Sequence, residues 1–325
     1  MEDTTTDPKL LEQLDKLQQK YEAMGQDISS YLDGLLHANY LTYWDYVHLD
    51  TLLSLQNPKT DFPDESIFIM YHQITELYFK MSLNELKQIT QKPPTAKFFI
   101  QRLTRCNRYF QQLVNSFEIM VDGMEKEQFL KFRMSLLPSS GFQSVQYRMI
   151  EMYAAPLENL LVAEKRDEDL KGKSAAELMH DIYWKNGATE LSTGKKTLTL
   201  KMFENKYKET LKRLATKMEE INLLKTFEKH LKGSEEEEKV VQTMRTFDQL
   251  VNVNWPLAHF KSAVRYLQRD PEVILATGGT NWQKYLPPRF QKRIFFLTLW
   301  SEEEKENWGK SYIKGILEEN INHSK

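Results

Sequence analysis

Apolar residues near the start of the chain recur at three- and four-residue steps. Leu10, Leu11, Leu14, Leu17, Tyr21 and Met24 fall along one side of a helix with 3.6 residues per turn. Similar stripes run through 64–90, 96–120, 143–162, 200–232 and 238–268, so the pattern predicts a mostly helical protein. The stretch 187–199 departs from it. β-Branched and polar residues there surround a glycine, which fits a small hairpin or a flap. Breaks fall at 57–63, at Lys92-Pro93-Pro94, at 138–141, at 186–194, at Gly233 and at 270–279, and none has the composition of an interdomain linker. The expectation is one all-α domain over 1–325, a helical bundle. Residues 1–37 would form an N-terminal helical arm, and 287–325 a C-terminal extension packed on the domain. That extension holds the apolar run 294–300, then Ser301 three residues before Glu304, a capping box that opens a last helix.

Composition narrows the classes. A chain of 325 residues with 41% hydrophobic residues can bury a substantial core, and 12 glycines are few for the turns of an all-β fold. The net charge of -2 comes without a basic block interleaved with aromatics, so nucleic acid is not an expected partner. The acidic start lacks the apolar core of a signal peptide, and no window holds the roughly 20 apolar residues that span a bilayer. A cytoplasmic protein is expected. The acids 235–238 read as a solvated first turn that complements a helix dipole. A single cysteine, Cys106, excludes an internal disulfide and any metal site built from several thiolates of one chain. A metal would then be held by imidazoles, carboxylates or a cofactor.

Among the seven histidines two stand apart. His72 sits among Phe68, Ile69, Leu77 and Phe79 on a helical stretch, with Glu76 one turn on along the same face. Read from its neighbours alone, it is either a satisfied core histidine or a functional one. His259 follows Trp255 by one turn, and Pro256 either starts that helix or kinks a longer one. His180, His230 and His323 lie in polar surroundings and suit the surface. A haem needs a neutral imidazole and a flat apolar slot, which helical bundles provide between facing helices. Arg133 interrupts an apolar stretch just before a Pro/Gly turn; it is a surface arginine or a bidentate clamp for a carboxylate. Thr277-Gly278-Gly279 is a plain loop or a set of free hydroxyl and N–H groups suited to a zwitterion or a haem propionate.

Taken in order, these residues resemble a family. Leu41-Thr-Tyr43-Trp-Asp-Tyr46, Phe68-x-x-x-His72-Gln-x-x-Glu76, Phe132-Arg133, the block from Pro138 to Arg148, Trp255-x-x-x-His259 and Thr277-Gly-Gly resemble the tryptophan 2,3-dioxygenases over roughly 38–286. The resemblance implies an all-α haem protein, a homotetramer in the cytoplasm. It would insert both atoms of dioxygen across the indole C2–C3 bond of L-tryptophan to give N-formylkynurenine, using haem b. By position, His259 would be the axial ligand of the haem iron, with Trp255, Ser139, Ser140 and Gly278 around the cofactor. His72 would be the catalytic distal histidine that contacts the indole N–H. Phe68, Phe129 and Leu136 would line the substrate pocket, Arg133 would clamp the carboxylate, and Thr277 would hold the amino-acid head group. Tyr43 and Tyr46 would close the pocket of a neighbouring subunit.

The chain also departs from the family pattern. Phe129 stands where a tyrosine is usual, Pro256 where an arginine is usual, and Trp282 follows the Thr-Gly-Gly loop where a glycine is usual. About four extra residues separate His259 from Thr277. These changes fall at the substrate head group. They keep open a related histidine-ligated haem enzyme that hydroxylates tyrosine or a substituted indole with peroxide or dioxygen, and a non-catalytic haem or ligand sensor.

Overall fold

The structure, a computed structural model, describes residues 7–38, 42–133, 141–166, 168–170, 172–186, 188–189, 195–267 and 292–309. Among them regular structure is helical, with only two isolated antiparallel bridges, Leu161 with Ile182 and Thr189 with Lys196. The all-α reading holds. The second bridge, together with Thr197 N–H donating to the Ala188 carbonyl at 3.1 Å, falls where a hairpin or flap was expected.

Contacts divide the chain into two units, Met1–Asn57 and Pro58–Lys325, at the first of the sequence breaks. The first unit contains α1 (Pro8–Ala23), α2 (Ile28–Leu36), α3 (Tyr43–Tyr46) and α4 (Leu49–Leu53). Asp7 and Asp27 cap α1 and α2 by accepting main-chain N–H groups, and none of these four helices buries a residue.

The second unit is built on α5 (Asp64–Thr90) and α6 (Ala96–Ser116), which pack along each other. Asp64 and Glu65 complement the dipole of the first turn of α5, and the helix ends just before Pro93-Pro94. α6 starts at Thr95, whose hydroxyl accepts the Phe98 N–H. It buries Phe99, Leu103, Cys106, Phe110 and Leu113, at alternating steps of four and three residues. Next come α7 (Glu118–Asp122), α8 (Lys126–Arg133) and α9 (Val145–Ala154). The stripe at 143–162 does not make one helix. Pro156 lacks an N–H and drives Ala155 to an extended conformation, so the chain continues as a short 3-10 turn, Leu157–Leu160. After the short α10 (Ala175–Leu178) and α11 (Tyr183–Asn186), the stripe at 200–232 forms α12 (Leu198–Met218) and α13 (Leu223–His230), the second capped by Asn222.

The stripe at 238–268 forms a single path with a flaw in it. α14 (Glu237–Gln249) opens on Glu237 and Glu238 in its first turn, widens to a π turn over Leu250–Asn254, and continues as α15 (Trp255–Leu267). Pro256 therefore does not start this path but lies inside it, directly after the wider turn, where its missing N–H falls. Residues 292–309 of the C-terminal extension pack back on this path. Phe295 and Phe296 are fully buried, and Ser301 and Glu304 form the expected capping box of α16 (Glu302–Glu306). No helix among the described residues is long and apolar enough to cross a membrane.

Candidate functional site

α5 supplies one side of the site. The rings of Phe68 and His72 lie 4.1 Å apart, and the Phe68 carbonyl is 2.7 Å from Nδ1 of His72. A carbonyl can only accept, so the proton sits on Nδ1 and the neutral ring presents a bare Nε2. Burial lowers the pKa of His72, outweighing the Phe68 hydrogen bond and the negative Glu76, which favour the charged form. Glu76 is held in turn by the Gln146 side-chain amide, which donates to its carboxylate and to its carbonyl, each at 2.8 Å. His72 is nonetheless surface-accessible.

α15 repeats the arrangement. Nδ1 of His259 lies 3.0 Å from the Trp255 carbonyl, which leaves Nε2 bare by the same argument. Burial pushes its pKa down to about 4 despite that hydrogen bond, and charge on His72 or Arg293 opposes protonation further. The imidazole is therefore neutral at pH 7, the form that ligates iron. His259 is also partly accessible.

An aromatic wall joins the two histidines. Phe117 lies 4.4 Å from the His259 ring, 5.1 Å from Trp255 and 5.7 Å from Tyr71, the neighbour of His72. From the other direction, Phe132 of α8 meets Phe68 edge-on at 5.6 Å, and Phe129 lies 4.4 Å from Tyr266 of α15. Polar ties fix these helices. The Asp64 carboxylate accepts the Glu125 N–H at 2.6 Å, which seats α8 against the start of α5. Ser262 and Tyr266 donate to the carbonyls of Met120 and Met124, which seats α15 against the same region.

Arg133 is the last residue of α8, with its guanidinium 5.6 Å from the Phe129 ring. Its Nη1 is buried and has no hydrogen-bond partner among the described residues. Burial lowers its pKa. A half-buried cation with an idle N–H is the complement of a carboxylate.

The structure thus brings Phe68, His72, Phe129, Arg133, Trp255 and His259 to one aromatic cluster. Tyr43 and Tyr46 lie on α3 in the other unit, both more than two-thirds exposed. Leu136, Ser139, Ser140, Thr277 and Gly278, like Trp282, lie outside the described residues. Sequence reasoning missed Tyr71, Phe117, Tyr266, Gln146 and Arg293. Phe117 stood in the stripe at 96–120, but periodicity says only that it is inward, not that it faces a histidine from another helix.

A model of the family described as tryptophan 2,3-dioxygenase matches residues 34–248, about two-thirds of the chain. The chain belongs to the tryptophan 2,3-dioxygenase family. The matched span takes in Tyr43, Tyr46, Phe68, His72, Phe129 and Arg133 and ends on α14, two residues before the π segment. Among proteins named tryptophan 2,3-dioxygenase, one from a Ruegeria species is 43% identical over 117 residues, 35% of this chain and 41% of that protein. One from Bacillus thuringiensis is 35% identical over 138 residues, 41% of this chain and 48% of that protein. One from Bacillus cereus is 35% identical over 143 residues, 42% of this chain and 50% of that protein. The chain spans about half the length of the curated relatives it matches. Trp255 and His259 lie beyond the family match, and their place in the site comes from the packing of α15.

Proposed function

We propose that this chain is a haem-dependent dioxygenase that opens the indole C2–C3 bond of L-tryptophan to give N-formylkynurenine. The observation that carries the reading is the convergence, in a member of this family, of two neutral imidazoles with bare Nε2 atoms and a guanidinium whose buried Nη1 has no partner among the described residues on one aromatic cluster. The residues fit a haem. A neutral imidazole, His259, with its Nε2 free of the chain's own hydrogen bonds, stands beside the flat apolar faces of Trp255 and Phe117, the kind of lining a porphyrin requires. When bound, haem b supplies the redox-active iron at which dioxygen is activated.

The chain's own residues do the rest. His259 would hold the haem iron through its Nε2 lone pair, and the Trp255 carbonyl on Nδ1 fixes the ring and would raise its basicity. His72 accepts the indole N–H at Nε2, which orients the ring without requiring a strong base. Phe68 and Phe129 flank the indole and keep water out. Arg133 takes the substrate carboxylate with its free N–H. In the same reading Leu136 lines the pocket, Thr277 completes the head-group site, and Ser139, Ser140 and Gly278 lie around the cofactor.

The assembly is part of the proposal. Helices α1 to α4 bury nothing and expose Leu35, Leu36, Tyr43, Trp44 and Tyr46, while α5 exposes Met70, Ile74, Leu77 and Met81 along one face. Apolar surface of this extent supports self-association of the chain; in this reading the assembly is a cytoplasmic homotetramer in which the arm of one subunit closes the pocket of another.

The test is to reduce the haem-loaded protein without air, add L-tryptophan with dioxygen, and follow N-formylkynurenine absorbance. Product formation dependent on Arg133 and His72 is expected. Tight haem binding without product from L-tryptophan would overturn the reading.

A further inference from the structure

Pro256 creates a defect just before His259, and the structure repairs it from outside the helix. In the π turn the Trp255 N–H donates to the Leu250 carbonyl, five residues back, rather than to Val251. The next N–H, the one a π helix would direct at Val251, is missing because residue 256 is proline. The Val251 carbonyl is buried and has lost its helical donor both ways. Two side chains take its place: the Tyr147 hydroxyl donates to it at 3.0 Å, and Nη2 of Arg293 at 3.3 Å.

Arg293 lies on the C-terminal segment, 42 positions beyond Val251 along the chain, and it is locked in place. Its Nε donates to the Asn252 side chain, its Nη2 to Tyr147 at 2.9 Å, and its Nη1 to Tyr183 and Glu151. The segment is stapled by Asp248, whose carboxylate accepts the N–H groups of Phe295 and Phe296, the Trp300 indole and the Asn252 amide. Asn159 donates to the Phe295 carbonyl at 2.8 Å. Asp248, Asn252 and Val251 all belong to the path that leads into Trp255, whose carbonyl holds the His259 ring.

We propose that Tyr147 and Arg293 are positioning residues for His259: they supply the donors that Pro256 withholds, hold the π turn open, and so set the rotation of α15 that aims the imidazole. The inference rests on His259 being the axial ligand. Tyr147→Phe and Arg293→Lys remove one donor or its fork while keeping bulk or charge. In the reduced, haem-loaded protein each should shift the iron–imidazole stretching band and the midpoint potential, and release haem about tenfold faster than the parent, as expected for the loss of one buried hydrogen bond. Pro256→Ala restores a main-chain donor. Tyr147→Phe combined with Pro256→Ala should therefore return towards the parent, a rescue that a merely space-filling tyrosine would not give. Parental band, potential and haem release in both single variants, or no rescue in the double variant, would overturn the proposal. His259→Ala separates the two readings. If it abolishes the imidazole band while the other variants match the parent, only the positioning role falls; if it leaves the band intact, the ligand assignment falls and the positioning role with it.

Discussion

At the scale of single residues, the site rests on groups whose hydrogen-bonding capacity is deliberately incomplete within the chain. Arg133 is the plainest case, because its buried Nη1 has no partner among the described residues and a ligand carboxylate can supply one. Arg133→Met should raise KM for L-tryptophan by about 10- to 100-fold, the size of about 1.5–3 kcal/mol for a hydrogen bond to a charged group. Haem affinity should be unchanged, and the melting temperature unchanged or raised, since an unpaired charge has been removed; steady-state kinetics and a thermal melt check both. Phe129 lies between Tyr266 and Arg133, so Phe129→Tyr adds a hydroxyl to the ring that neighbours the Arg133 guanidinium. It should lower KM by less than tenfold, measured in the same assay, and an increase would show that the apolar edge is what the substrate requires.

Elements are placed by caps and by single polar ties, and two of these are open to test. Ser144 accepts the Tyr147 N–H at 3.2 Å and starts α9, which carries Tyr147, Arg148 and Glu151 into the interior. Ser144→Ala should cost about 1 kcal/mol in denaturant unfolding. On α12, Glu204 receives Lys185 at 3.0 Å and Lys196 at 2.6 Å, which ties Lys196, the partner of Thr189 in an isolated bridge, to the helix. Burial raises its pKa, but the hydrogen bonds from Lys196 and Lys185 outweigh that and leave it below 4.5. The sign follows from linkage: the folded state holds this proton less tightly than the unfolded one, so the tie is at full strength above about pH 4.5 and is lost as pH falls through the depressed value. Amide exchange at Lys196 and Thr197 should accelerate below pH 4.5 more steeply in the parent than in Glu204→Gln.

Over the whole molecule, the two units differ in how they obtain stability. The unit from Pro58 has a core of fully buried side chains such as Leu86, Phe99, Phe110 and Phe247, whereas the helices of the first unit bury none. Amphipathic helices that bury no residue are marginal in water, so, under the proposed self-association, the first unit should gain order on assembly. Leu36→Glu, at a side chain 82% exposed, should lower the mass found by sedimentation velocity and raise KM together, while leaving the melting of the α5–α6 core in place. A full-mass assembly with parental kinetics would remove the arm from the interface.

Much of this architecture was legible in the chain because helical periodicity is a local signal. The stripe at 64–90 coincides with α5, the stripe at 96–120 with α6 and α7, the acids at 235–238 with the start of α14, and Ser301 with the cap of α16. Motif spacing likewise picked out Phe68, His72, Arg133, Trp255 and His259. The sequence alone did not determine which aromatic stands between the two histidines, since Phe117 and Tyr71 reach them from separate helices or turns. Nor did it determine that Pro256 would be absorbed by a π turn. That outcome depends on donors from α9 and from the C-terminal segment, 104 and 42 positions away from Val251 along the chain. Local sequence sets period, caps and breaks because neighbours in the chain are always neighbours in space; the partners that satisfy a buried carbonyl, or leave a guanidinium free, are chosen only when distant segments pack.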